Sequence, residues 1–448
     1  MTQIGMTGKN MQTSLRGIAN RAKKDGKARF RNLYGLLDEN NLRECFYRLK
    51  RGAAPGVDGV TFDQYEEDLE SNLRDLVGRL KGKRYHAKLV RRKYIPKTGG
   101  KLRPLGIPAL EDKLLQLAVA GILGSIYETD FLDASWGYRP GRGPRQASRE
   151  LAGQLAAGRY HWIVEADIRG FFDRISHEWM VKMLGERVDD AALLGLIVKW
   201  LKAGIMEEDG KVVHPVTGTP QGGIISPILA NIYLHYALDL WFEKKVRPQV
   251  RGQAMLMRFA DDFVCAFESR SEAEAFMGWL AARLGKFGLE LAGEKTGLLR
   301  FSRIRLEENG AFRFLGFLYH WTLSRNGKPK VQRMTDPRKL HASVAAFGEW
   351  IQSKRHQRAH RVMRQLKSKL TGYWNYYGVA GNSVSLGKFW WSVRGLLYKW
   401  LNRRSHRRSY TWKGLAACLV DFAVPGPRIT ETPYSPEPDI QLWFAFSN

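Results

Sequence analysis

Apolar residues recur at helical spacing through Tyr65, Leu69, Leu73, Leu76 and Leu80, which predicts a helix with one face in a core. Thr61 and Gln64 carry the spacing of a capping box at its start. Residues 31 to 50 read as a further helix, and Gly52 to Gly59 as a loop broken by Pro55. The run 110–127 and the apolar stretch 190–204 read as helices. So does the segment opened by Gly218-Thr219-Pro220-Gln221-Gly222-Gly223, which runs past Asn231 and Tyr233. Phe276, Leu280, Leu284 and Phe287 share one helical face, with Ser271 and Glu274 spaced as its cap and Gly288 as its stop.

Elsewhere the period is that of strands. Arg91 to Lys97 and Lys101 to Pro108 flank Thr98-Gly99-Gly100 and predict a basic hairpin. Trp162 to Ile168 reads as a buried strand ending in Asp167. Met255 to Phe267 is two apolar runs around Asp261-Asp262, a hairpin with acids at its tip. Phe312 to Phe317 predicts another hairpin. Beyond residue 320 helical stripes return: Leu340, Val344, Phe347 and Ile351; Leu366 and Leu370; then Leu386, Phe389, Val393, Leu397 and Trp400.

Charge narrows the classes. The chain of 448 residues has 72 Lys and Arg against 44 Asp and Glu, a net charge of +28. Such an excess points to a polyanion, most often nucleic acid. It is concentrated: residues 325–408 hold 20 Lys and Arg and two acids, Asp336 and Glu349. The first 30 residues form a basic arm that either meets phosphates or stays solvated. Cys45, Cys265 and Cys418 are too scattered for a disulfide framework or a zinc knuckle. With no membrane-length apolar run and no signal core, the expected location is the cytoplasm.

Two adjacent carboxylates repel and raise each other's pKa unless a cation neutralises them, and a hard divalent ion is the natural partner. By itself Asp261-Asp262 reads as readily as an ordinary Asp-rich turn. With Asp167 the set suits two-metal nucleotidyl transfer, which needs carboxylates from separate strands. Cations on the Lys97–Arg103 hairpin could grip phosphates, and the turn at Gln221-Gly222-Gly223 could lie beneath a base pair.

The ordered set of motifs resembles bacterial group II intron reverse transcriptase/maturases, from about Leu42 to about residue 425. They are Pro55-Gly56-Val57-Asp58-Gly59, Ile95-Pro96-Lys97 with Arg103-Pro104-Leu105-Gly106, Gly137-Tyr138-Arg139-Pro140-Gly141-Arg142, Ala166-Asp167-Ile168, Thr219-Pro220-Gln221-Gly222, Ala260-Asp261-Asp262, Glu294-Lys295-Thr296 and Phe314-Leu315-Gly316-Phe317. The resemblance implies an α+β right-hand polymerase with fingers, an antiparallel-sheet palm and a helical thumb. Asp167, Asp261 and Asp262 would be catalytic and, with Ile168, hold two Mg²⁺ ions, or Mn²⁺. Lys97, Arg103, Phe172, Gln221, Gly222 and Lys295 would serve the dNTP, with Phe172 as the gate against a ribose 2′-hydroxyl and Phe171 the core residue. Phe314, Leu315 and Gly316 would grip the primer, and Arg139, Arg142, Arg361 and Arg364 would bind nucleic acid. The partners implied are RNA template or intron RNA, a DNA primer and dNTPs; no membrane is expected, and no oligomeric state follows.

The expected division is a basic N-terminal extension over 1–77, fingers and palm over 78–320, a helical thumb or maturase-specific domain over 321–424 and an irregular tail over 425–448. Phe259 stands where the family usually has Tyr before Ala-Asp-Asp. Without paired Cys-X-X-Cys sets, the zinc-linked endonuclease domain of many relatives is not expected. The alternative is a domesticated relative acting in phage defence, spacer acquisition or DNA repair. A splicing factor with a dead polymerase is disfavoured by the intact acids, and an RNA-copying RNA polymerase by Phe172.

Overall fold

The computed structural model describes residues 11–96, 102–219, 222–404 and 409–431. Three sheets organise it. Strands β1 (Val90–Pro96) and β2 (Leu102–Ile107) pair antiparallel, and on its other side β1 pairs in parallel with the short β5 (Ile205–Met206), which pairs antiparallel with β6 (Val212–Val213). The central sheet has five strands in the order β3 (Ser135–Trp136), β7 (Ala254–Phe259), β8 (Asp262–Phe267), β4 (Trp162–Ala166) and β9 (Gly297–Arg300). A third, antiparallel sheet joins β10 (Phe312–Phe314), β11 (Phe317–Leu323) and β12 (Pro329–Thr335). The mixed α/β architecture with antiparallel sheets agrees with the strand periods of the sequence.

The central sheet is apolar on both faces, so β7 and β8 read as continuous apolar runs. One face packs in a large core with the Leu110–Tyr127 helix, of which Leu114, Leu115, Ala118 and Leu123 are fully buried. The other face meets β10 and β11 through Met257, Val264, Phe312 and Tyr319. Val362, Leu366, Leu386, Val393 and Leu397 form the separate core of the C-terminal helices.

The capping box at Thr61 and Gln64 forms as expected. The one expected at Ser271 and Glu274 does not. That helix starts at Arg270, whose guanidinium takes the Glu274 carboxylate at 2.8 Å. Of the basic N-terminal arm, residues 1–10 lie outside the described set; from Met11 on it is packed, with Met11–Lys24 a helix on Leu110–Tyr127 and Leu15 and Ala22 buried. Phe30 bridges to Val188, and the buried Arg187 donates to the carbonyls of Gly26 and Ala28. The tail is also not loose from its start at 425. Trp374 Nε1 donates to the Pro425 carbonyl, and Glu431 pairs with the buried Arg333 at 2.6 Å. Residues 432–448 lie outside the described set.

Candidate active site

Register assembles the site. Ala166 pairs with Phe263 and Phe259 with Asp262, so the end of β4 and the β7–β8 turn lie at one edge of the sheet. Asp167 leaves β4 there, and its carbonyl accepts from the Ala292 N–H at 2.8 Å. That backbone bond brings in Lys295, 128 residues on in sequence, whose ammonium pairs with the Asp167 carboxylate. Ile168 is buried and bridges to Leu291.

The carboxylates sense one another. Burial, and then the charge of Asp167, raises the Asp261 carboxyl, against Arg103 and Arg258. Asp262 is pushed up to about 6 by the surrounding protein, then by Asp261 and Asp167, against Lys295 and Lys339. Among the described residues no three metal-ligating side chains close into a finished cluster. The donor chemistry nonetheless fits a hard cation: carboxylate oxygens from two chain segments, destabilised by their own repulsion.

Beneath this turn lies a network that the sequence reading missed. Ala260 is left-handed, with φ of 56°, a strained conformation for a residue with a side chain. Its carbonyl accepts from the fully buried Arg258 at 2.9 Å. Arg258 also donates to Asp239 at 2.8 Å, Asn231 at 3.0 Å and Ser135 Oγ at 2.6 Å. Asp239 is presented by a π-helical segment, His235–Asp239, that interrupts the helix after Leu234. Asn231 in turn donates to the Gly137 carbonyl at 3.0 Å. A Cβ on Gly137 would stand 2.7 Å from the Ala260 nitrogen and 3.1 Å from the Phe259 ring, so only glycine permits this approach. An arginine inside the apolar run Met255–Phe263 was the available signal.

Arg139 corrects an expectation. It is buried, donates to Glu128 at 2.8 Å and to the carbonyls of Leu132 and Ser135, and therefore braces its loop instead of facing a ligand. Arg142 pairs with Asp133 at 2.6 Å and lies over the Trp136 ring. The member of that motif turned to the site is Tyr138, left-handed at φ 52° and within electrostatic reach of Asp261 and Arg103.

Phe171 is buried and Phe172 partly accessible, both on the short helix Phe171–Arg174. The turn before Gly222 is fastened to this helix: Thr219 N–H donates to the Phe172 carbonyl and Gly218 N–H to that of Ile175, both at 2.8 Å. A Cβ on Gly222, whose φ is 108°, would lie 2.6 Å from the Gly106 carbonyl on β2. Gly222, the Phe172 helix and the Arg103 strand are thus tied together. Lys97 and Gln221 lie outside the described residues. Phe314 is buried, and Leu315 and Gly316 form the β10–β11 turn. Arg361 and Arg364 are exposed on the Ala359–Tyr377 helix.

Residues 95–319 match the family model described as reverse transcriptase (RNA-dependent DNA polymerase). The chain belongs to the reverse transcriptase family, whose members are RNA-directed DNA polymerases. It is 33% identical over 312 residues to Protein YkfC of Escherichia coli, covering 63% of this chain and 80% of that protein. It is 28% identical over 422 residues to the group II intron-encoded protein LtrA of Lactococcus lactis, covering 77% of this chain and 69% of LtrA. A putative COX1/OXI3 intron 1 protein of Saccharomyces cerevisiae is 30% identical over 223 residues, half of this chain and 26% of that protein. Among the described residues no helix is long and apolar enough to cross a membrane.

Proposed function

We propose that the chain extends a DNA primer along an RNA template at the acid-bearing edge of the central sheet, in the service of a group II intron whose RNA it also binds. The register that sets Asp167 beside the Asp261–Asp262 turn carries this reading. The likeness to LtrA and the yeast intron protein supports the intron role over a domesticated one. In right-hand terms, the fingers and palm run past the expected boundary at 320, because β11 (Phe317–Leu323) crosses it and β12 completes the same sheet, and the helices from Pro337 on supply the thumb, with the N-terminal helices packed onto the palm core.

Asp167, Asp261, Asp262 and the Ile168 carbonyl would hold the divalent ions, Mg²⁺ with Mn²⁺ as substitute. When bound, such ions lower the pKa of a primer 3′-hydroxyl and neutralise the triphosphate and departing pyrophosphate. Arg103 and Lys97 orient the triphosphate. Gln221 and Gly222 support the incoming nucleotide, and the Phe172 ring excludes a ribose 2′-hydroxyl. Lys295 moves its ammonium from Asp167 toward the leaving pyrophosphate. The Phe314–Gly316 turn holds the primer end. Arg361 and Arg364 follow the phosphate backbone, and Arg142 remains a nucleic-acid contact through its accessible edge. Arg139, buried against Glu128, is not part of the binding set.

The deciding experiment is primer extension on an RNA template with Mg²⁺, wild type against Asp261→Ala. Losing one such carboxylate costs several kcal/mol of barrier, a fall of roughly 10³-fold. Extension by the variant at near the wild-type rate would refute the assignment.

A further inference from the structure

The primer-grip turn is held from outside its own sheet. Leu315 and Gly316 are both left-handed, at φ 51° and 76°. For leucine that conformation is costly and persists only where neighbours impose it. The side-chain restraint comes from the C-terminal helical region: Tyr376, near the end of the Ala359–Tyr377 helix, donates its hydroxyl to the Leu315 carbonyl at 3.1 Å. Asp336, which follows β12 and caps the Pro337–Lys354 helix, donates its N–H to the Gly316 carbonyl at 3.0 Å and so continues the β11–β12 ladder into that helix. The Tyr376 ring lies parallel to Phe317, 6.0 Å between centroids and 2° between planes. Tyr377 meets the same ring edge-on at 5.5 Å and packs against both the sheet core and the helical core. A Cβ on Gly316 would stand 3.2 Å from the Tyr377 hydroxyl, so glycine is what lets the helix come this close.

The same junction faces the acids. Burial first, and then the charge of Asp262, raises the Tyr376 hydroxyl. Lys339, on the first turn of the Pro337–Lys354 helix, acts on Asp262 from that side too. Of the C-terminal helices that carry exposed cations, Pro337–Lys354 therefore starts and Ala359–Tyr377 ends at the primer-grip turn.

We infer that Tyr376 is a positioning residue: through the Leu315 carbonyl it makes the primer-grip turn follow the thumb helices. Seating a duplex on the thumb then sets where the primer's 3′ end stands relative to the acids. The inference rests on the primer-extension reading above. It goes beyond it by assigning to a thumb hydroxyl the register of the primer end.

The test is single-turnover extension of a DNA primer on an RNA template by wild type, Tyr376→Phe and Tyr377→Phe. Tyr376→Phe keeps the ring and removes only the donor. A hydrogen bond of this kind has a net worth that corresponds to about 2- to 10-fold in rate. The expected result is a fall of that size in the maximal rate, with half-saturating dNTP, duplex affinity and thermal midpoint unchanged. Preference for matched over mismatched primer ends falls with it. Tyr377→Phe, whose hydroxyl bonds neither carbonyl, stays at the wild-type rate. An unchanged rate in Tyr376→Phe overturns the inference. So does an equal fall in both variants, or a fall that tracks the thermal midpoint, since either would mean general loss of packing. If wild type itself fails to extend primers, the primer-extension reading fails and takes this inference with it.

Discussion

Two turns meet at the reacting edge, and each bends through a left-handed residue that has a side chain: Ala260 and Leu315. They are restrained by opposite means. The carbonyl of Ala260 is held by a guanidinium with no solvent exposure, itself fixed by Asp239, Asn231 and Ser135. The carbonyl of Leu315 is held by a neutral, partly buried phenol, Tyr376, 61 residues away in sequence. A buried charged network is costly to disturb, because any one loss strands another charge. A single phenol bond is worth little and can re-form after a small shift. The first turn is thus the stiffer and the second the more adjustable, which would suit the proposed metal-holding edge beside a primer that advances at every step.

The largest break in this contrast is Arg258→Met. It strands the buried Asp239 carboxylate and should cost about 3–5 kcal/mol in thermal or denaturant unfolding. Adding Asp239→Leu should restore most of that stability, because a buried pair can be replaced by well-packed apolar groups. Extension should remain down roughly 10²-fold in the double variant, since the Ala260 carbonyl has lost its anchor and small misplacements of reacting groups cost that much. Recovery of both stability and rate would show that Arg258 serves folding alone.

Phe172→Ala probes a third element, fastened by backbone bonds from Gly218 and Thr219. It should leave dNTP extension near wild type and admit ribonucleotides at least ~10-fold more readily, about 1.4 kcal/mol of discrimination. Unchanged sugar selection in competition assays would remove Phe172 from the gate.

The smallest effect on activity belongs to Asp112, remote from both turns. It accepts from the Tyr85 hydroxyl and the Lys88 N–H, and burial pushes its carboxyl up to about 6. A carboxyl whose folded pKa is raised stabilises the fold below its unfolded value, near 3.8, and loses that contribution as pH rises to about 6. Asp112→Asn should therefore flatten the decline in stability across pH 4–6 and leave extension at neutral pH unchanged. Denaturant melts at pH 4, 5 and 6.5 would read this directly, and an unaltered pH profile would contradict it.

What was legible in the sequence was local. The two apolar runs around Asp261-Asp262, the strand ending at Asp167 and the capping box at Thr61 each rest on neighbours in the chain. What escaped was set by distant partners. Arg139 and Arg361 look alike in sequence, yet one is sealed against Glu128 and the other exposed. One miss was local: Ser271 and Glu274 had cap spacing, but the adjacent Arg270 captured the glutamate one turn on. The N-terminal cations suggested a free arm because its apolar positions are few; Leu15, Ala22, Ala28 and Phe30 suffice to dock it. Tyr376 gave no periodic signal, for its partner is a backbone carbonyl.

The pairing of β4 with β8 also limits how the chain can change in length. Trp162 to Ala166 faces Phe267 to Phe263 residue by residue, and Asp167 follows without a spacer. Deleting or inserting one residue there would turn every side chain to the opposite face and carry the acid away from Asp262. By contrast, the exposed Gly210 bend between β5 and β6 has open space around it and could lengthen freely. Lineages of this chain should therefore accumulate gaps and insertions at the second place and none at the first, whatever happens to residue identity.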